Sequence, residues 1–528
     1  MDKFISTKSW GVMFAAFIFV ADVAAQAPDT NWYASSPEAD TFYISTADEL
    51  AGLARIVSDG NDFRGKTVVL VDDIDLSEWG EWSIIGKTVY LYSEEDFPEV
   101  VDSIEYPFRG VFDGNGKTVD GVSITSNVKN GEDKGLFGLV DGGLVKNLGV
   151  VNVDIQKGRY AGAVVGKLTG GGVVTGCYSS GWIYGNAASA GGVVGLVDNG
   201  SSVTNSYSTI FIGAFSESGG VVGGLRNGSV ANCYSTGSIS AYHCGGGVVG
   251  AIYDDGIVSN CYSTGGVHGS RFNGYLIGGV AGVVYSGRVI DCAALNSHVN
   301  NVENCLNGCL STGYVTGRII GVTSSEDNVV LSGNIAFTGM GSNFADITGA
   351  NSLNGADFTA EDFSILSKLF TPENGWTIES GKLPGLLGKA VDMPEHLIPV
   401  SIASADRVVP QPKPKEEATV IAPVVILPSK FTAGPNPVSR QSGEVKIFRQ
   451  GKRVSNSELR IYDAAGNIVG KVKIIDNAFG SQARRQVGTW NLTDRKGRPV
   501  PEGTYLVRGV VKTSNGKGEK VSVILGVR

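Results

Sequence analysis

Between Gly135 and Gly321 the chain repeats one small pattern: GLFG at Gly135, GAVVG at Gly162, GGVVG at Gly191, Gly219 and Gly246, GGVAG at Gly278 and GRIIG at Gly317. A second block alternates with it, Gly176-Cys-Tyr-Ser, Asn205-Ser-Tyr-Ser, Asn232-Cys-Tyr-Ser, Asn260-Cys-Tyr-Ser and a weaker Asp291-Cys-Ala. Successive glycine starts lie 27, 29, 28, 27, 32 and 39 residues apart. Self-similarity at such a period marks a solenoid in which one supersecondary unit stacks on the next.

The kind of solenoid follows from local composition. Short runs of Val, Ile and Tyr bounded by Gly, Asn, Ser and Asp are strand and turn signals, with no 3.6-residue apolar period. About 28 residues accommodate roughly three strands of ~5 to 6 residues with their turns. Each repeat is therefore expected to form one three-sided coil of a right-handed parallel β-helix, rising ~4.8 Å per coil and about 30 to 35 Å over the seven copies.

These residues resemble the GLUG motif, a bacterial extracellular repeat of adhesin-like proteins that also accompanies the protease domain of immunoglobulin A peptidases. Ser45-Thr-Ala-Asp-Glu-Leu50, Leu70-Val-Asp-Asp-Ile-Asp-Leu76 and Phe108-Arg-Gly-Val-Phe-Asp-Gly-Asn-Gly-Lys-Thr-Val119 resemble the lead-in of such β-helices. Gly375-Trp376 through Lys382-Leu-Pro-Gly-Leu386 resembles their closing segment. The resemblance implies an N-terminal capping segment over 40–134, repeats over 135–321 and a C-terminal cap over 322–390. It speaks to fold far more than to activity.

Glycine supplies 75 of the 528 residues, and charged residues make up only 18%, against a usual ~25%. Lys3 and Lys8, the apolar run from Gly11 to Val20 and the small residues Val23-Ala-Ala25 read as a secretory signal over 1–27, cleaved after Ala25. That run is too short for a lasting membrane span, and no later stretch approaches ~20 apolar residues. The expected location is extracellular or on the outer surface of a Gram-negative cell, with no transmembrane segment in the mature chain.

Charge divides the chain a second time. From Phe431 to the end there are 18 Lys plus Arg against 7 Asp plus Glu, which leaves 25 against 45 before it. The Pro-, Lys- and Val-rich stretch within 391–430, including Pro410-Gln-Pro-Lys-Pro-Lys-Glu-Glu417, reads as an extended linker. Beyond it, Leu459-Arg-Ile-Tyr-Asp463, Gly488-Thr-Trp-Asn491 and Gly503-Thr-Tyr-Leu-Val-Arg508 alternate like strands of a small immunoglobulin-like β-sandwich over 431–528. With Gly434-Pro-Asn-Pro-Val438 and the terminal Lys520 to Arg528, this tail is similar to the sorting domain of type IX secretion cargo, and its middle to flagellar hook-capping proteins. The first likeness implies secretion machinery as a partner. Scattered basic residues on such a domain form an ordinary solvated face, so nucleic acid is not expected.

Chemistry is sparse in the repeats, where 8 Lys plus Arg and 8 Asp plus Glu are spread over 135–321. Few coils could bring two carboxylates together for glycoside hydrolysis. Asp254-Asp255 reads as a turn in preference to a calcium or catalytic pair, and Asp72-Asp-Ile-Asp75 as a starting coil. Arg226, Arg271, Arg288 and Arg318 lack the acidic cluster of a β-helix lyase. No His-Glu-x-x-His, Gly-x-Ser-x-Gly or phosphate loop occurs, and His243, His268, His298 and His396 show no ligand spacing. No residue is assigned to catalysis or to a metal, and no cofactor is expected.

Leu148, Cys177, Ser206, Cys233, Cys261 and Cys292 share one repeat position, which reads as an inward ladder of thiols used as small apolar groups. Cys305 and Cys309 are the better disulfide candidates, and the odd total of seven leaves a free thiol. With cysteine inward, strand alternation turns the next residue outward. Tyr178, Tyr207, Tyr234 and Tyr262 are then expected as an exposed stack about 14 Å tall. Such a stack offers rings to a polysaccharide or surface ligand; it equally serves to hold adjacent coils together. The expectation is a non-enzymatic, adhesin-like protein, with a carbohydrate-active β-helix enzyme or a purely structural envelope protein as alternatives.

Overall fold

A computed structural model of the chain describes residues 27–92, 100–125, 133–214, 216–269, 276–301, 315–323, 328–340, 349–398 and the strands and a few flanking residues of 431–527. Residues 1–26 of the expected signal segment, Arg271, the Cys305/Cys309 pair and the linker from 399 to 430 lie outside the described residues, as does the Pro-Asn-Pro of the tail.

Val145, Val174, Val203, Val230, Val258 and Val289 pair rung by rung in parallel register, and all are fully buried. They belong to a ten-stranded parallel sheet that starts at Thr41–Ile44 and ends at Val329–Ser332. The GLFG-type blocks form a seven-stranded parallel sheet from Phe137–Asp141 to Ile320–Thr323. Between these two faces runs a third series of parallel ladders, with Ile155, Ile183, Ile212, Ile239, Val267 and Val299 stacked inward. The fold is an all-β parallel solenoid. The lead-in strands Thr41–Ile44, Thr67–Leu70 and Val111–Asp113 are themselves rungs of its first face.

A coil is more finely broken than the three strands expected. One turn runs Ser202–Thr204, Tyr207–Ser208, Phe211–Ala214, Glu217–Gly219 and Val222–Arg226, five short strands. In two earlier coils the three middle pieces are continuous, as Gly149–Gly162 and Tyr178–Gly191. One corner has a fixed backbone rule: Asn147, Gly176, Asn205, Asn232, Asn260, Asp291 and Gly333 all adopt left-handed φ between 49° and 66°. Only Gly, Asn and Asp enter that region at low cost, which explains why these three types interchange there.

The glycine block is fixed by close approach. A Cβ on Gly246 would come 1.9 Å from the Val249 carbonyl oxygen, and one on Gly247 would meet the Gly279 oxygen at 2.0 Å and Ser263 Oγ at 2.3 Å. The serine of each Cys-Tyr-Ser block thus points inward onto the glycine corner, where Ser179 Oγ donates to the Gly192 carbonyl at 2.7 Å and Ser263 Oγ to that of Gly279. The two sequence blocks are two sides of one packed corner.

At the N-terminal end, helix Ala47–Ser58 follows the first strand. Its capping box joins Thr46 and Glu49, and Leu50, Leu53, Ile56 and Val57 pack into the solenoid core. Such a box satisfies two of the otherwise unpaired helix N–H groups. In the tail, Phe431–Gly434, Val445–Arg449, Lys473–Ile474 and Arg485–Trp490 form one four-stranded antiparallel sheet. Val454–Tyr462, Ile468–Lys471, Gly503–Thr513 and Gly518–Val527 form another.

Candidate functional site

The Cys-Tyr-Ser corner places cysteine inward, as its spacing predicts. Cys177, Cys233, Cys261 and Cys292 are fully buried free thiols, and Cys244 is free and buried as well. Their sulfurs donate to backbone carbonyls, Cys233 to Ala231 at 3.2 Å and Cys261 to Ser259 at 3.1 Å. Burial pushes the Cys177 thiol up to about 12.

The tyrosines pair in register, with ring centroids 5.3, 4.8 and 5.0 Å apart and planes within 9°, 3° and 4°. Their faces are therefore turned toward one another. The outer face of Tyr178 lies against Gly149, where a Cβ would come 2.4 Å from the ring. The expectation of a four-ring exposed stack is corrected: Tyr178 and Tyr207 are half-buried, Tyr234 is 4% exposed and Tyr262 is fully buried. What covers them is the segment after the last coil, whose Phe370 and Trp376 rings pack on Tyr262 at 5.4 and 5.7 Å, with Trp376 also 6.2 Å from Tyr234. Asn260 Nδ2 donates to the Leu369 carbonyl of the same segment at 3.1 Å. Strand alternation sets which way a side chain leaves its coil, but not what later segment returns to cover it.

A different aromatic pair is open. Trp182 and Phe211 are register partners on successive coils, 5.4 Å apart and inclined at 53°, with 38% and 36% exposure. Asp154 is the register partner of Trp182 on the preceding coil, and Gln156 that of Tyr184. Burial, followed by the nearby Asp154 carboxylate, pushes the Tyr184 phenol up, so it stays protonated and able to donate. Gly213, opposite Tyr184, leaves that face without a side chain. Repeat arithmetic could have found this pair, because Trp182 and Phe211 each stand five residues after the inward ladder positions Cys177 and Ser206.

Two carboxylates lie buried in the outer seam between the second and third faces. Glu217 accepts from Ser189 Oγ and from Tyr253 Oη at 2.6 Å, while the Arg226 guanidinium sits 4.9 Å over the Tyr253 ring, which stacks on Tyr285. Asp133 accepts from Thr88 Oγ1 at 2.9 Å and Tyr90 Oη at 3.1 Å, and burial pushes its carboxyl up to about 7. Pairing of Lys134 with Ala161, Tyr160 with Ser189 and Ser189 with Glu217 puts the two acids three rungs apart. That is about 14 Å, beyond the roughly 5 to 9.5 Å between the carboxyl pairs of glycosidases.

Other candidates resolve into structure. Asp254 and Asp255 occupy a turn with φ of 49° and 62°. Asp73 accepts from the Thr118 N–H and hydroxyl, which hold its carboxyl below the usual range. Arg318 is buried against the Asn354 and Gly355 carbonyls and pairs with Asp357 at 2.6 Å. The histidines depart from the sequence reading: His268 and His298, 30 residues apart, meet with their Nε2 atoms 2.8 Å from each other. The solenoid period supplies the proximity that short-range ligand spacing lacks. Among the described residues no group of three or more His, Cys, Asp or Glu is placed to hold a metal ion.

Residues 216–240 match the family model Glug, the GLUG motif. No curated protein matches the chain. The matched residues include the glycine corner at Gly219 and Asn232-Cys-Tyr-Ser235, the two blocks that the coil packs against each other. The chain thus carries a GLUG motif in the middle of its parallel β-solenoid.

Proposed function

We propose that this chain is a secreted, surface-located adhesin-like protein that contacts polysaccharide without turning it over, through the outer face around Trp182 and Phe211. The observation that carries the reading is the inclined, exposed pair of rings in register on adjacent coils. Apolar C–H faces of a sugar pack on aromatic rings that are not already stacked face to face, and Asp154 and Tyr184 beside them suit hydroxyl groups. A rigid β-solenoid presents such groups at a fixed spacing, so an extended chain is matched better than a single sugar. In this reading the N-terminal segment directs export, and the C-terminal strands form an immunoglobulin-like sandwich that serves type IX sorting or attachment.

The test is a polysaccharide array probed with the full-length protein, scored for both retention and released sugar. Retention by the wild type and its loss, tenfold or more, in Trp182→Ala/Phe211→Ala supports the proposal. Absence of any retention by the wild type defeats it, and release of oligosaccharide replaces it with a carbohydrate-active enzyme.

A further inference from the structure

His268 and His298 project from successive coils, and the strands that carry them are locked in register through Val267 and Val299. Their Nε2 atoms are 2.8 Å apart, and the rings are inclined at 50°. A neutral imidazole has one N–H, so this contact makes one Nε2 the donor and leaves the other as acceptor. On the far side of the His298 ring, Ser297 Oγ lies 2.8 Å from Nδ1. A hydroxyl in that position can accept from Nδ1–H, the tautomer whose Nε2 presents a lone pair and the arrangement that outer partners of metal-bound histidines adopt.

We propose that His268 and His298 form a two-imidazole site for a borderline divalent transition ion such as Zn²⁺ or Cu²⁺, with water filling the remaining positions. Two metal–nitrogen bonds of ~2.0 to 2.1 Å at a tetrahedral angle place the nitrogens about 3.3 Å apart. The nitrogens therefore need to part by about half an ångström, and each ring to turn until its Nε2 lone pair points at the ion. The proton on the donor Nε2 is released to solvent as the ion binds, and no oxidation is involved. Nitrogen donors without a carboxylate select against Ca²⁺ and Mg²⁺, which take oxygen ligands. His396 Nε2 is engaged with the Leu295 carbonyl at 2.8 Å, and the site is assigned to His268 and His298 alone.

The experiment is a calorimetric titration of the untagged full-length chain with ZnCl₂ in a non-chelating buffer at pH 7.5. One equivalent is expected to bind, with affinity at least tenfold lower in His268→Ala and in His298→Ala and unchanged in His243→Ala. Binding no stronger in the wild type than in the His268→Ala/His298→Ala double variant overturns the proposal. Should either variant fail to fold, electron paramagnetic resonance of the wild type with one equivalent of CuSO₄ decides: a two-nitrogen coupling pattern supports the site, and one nitrogen or none refutes it.

Discussion

The Tyr262 hydroxyl donates to the carbonyl oxygen of Pro384 at 2.5 Å, across 122 residues of chain. Phe370 and Trp376 close over the same ring, with centroids 4.8 Å apart from each other. The end of the tyrosine column is thus a seat for the segment that closes the solenoid. Tyr262→Phe leaves that carbonyl unpaired in a buried place and should cost about 1 to 3 kcal/mol. Trp376→Ala should cost about 3 to 5 kcal/mol and open the segment after Leu366 to protease. Thermal melts with limited proteolysis check both; proteolysis that stays at the wild-type rate in Trp376→Ala contradicts the seat.

The left-handed corner gives a paired prediction at Asn232, where φ is 51°. Asn232→Ala removes the short polar side chain that makes the left-handed conformation tolerable and should cost up to about 1 to 2 kcal/mol. Asn232→Gly should lie within about 0.5 kcal/mol of wild type, because glycine at Gly176 and Gly333 already serves the same corner. Denaturant midpoints of the two variants should differ in this order, and the reverse order would contradict it.

Asp133 should make stability depend on pH. Burial raises its carboxyl to about 7 against an ordinary 3.8, despite the hydroxyls of Thr88 and Tyr90 and the cations Lys167 and Arg159 nearby. The folded chain therefore holds this proton more tightly than the unfolded chain does. Its contribution is complete below about pH 4 and is lost as pH rises through about 7, at up to ~1.4 kcal/mol per pH unit and roughly 4 kcal/mol in all. Asp133→Asn should flatten that part of the profile between about pH 4 and pH 7, and parallel profiles for the two proteins would rule the assignment out.

The thiol ladder should be chemically silent. Cys177, Cys233, Cys261 and Cys292 are fully buried, and the Cys177 thiol sits near 12, whereas reactive cysteines are exposed and carry lowered pKa values. At pH 8 a thiol reagent should label these four at the rate of global unfolding, read by peptide mass after a timed quench. Labelling within seconds in the native state would place them elsewhere.

The periodic features of this protein belong to its sequence, because a solenoid makes each coil meet only its neighbours. The inward thiols, the Val and Ile ladders and the parallel stacking follow from a repeat near 28 residues and strand alternation. Even the corner backbone was written there, in the exchange of Asn, Gly and Asp before each ladder residue. Distance in the chain is where that reading fails. Burial of Tyr234 and Tyr262 depends on a segment more than 100 residues later, and repeat position carries no information about such a return. The same holds for the hairpin Lys87–Tyr92 and Val100–Tyr106, which brings Thr88 and Tyr90 onto Asp133. Local spacing fixed each residue's direction, inward or outward, through the two-residue period of a strand. Only tertiary packing decided which outward residues met solvent and which met another segment, since those outcomes are set by contacts between parts of the chain that share no period.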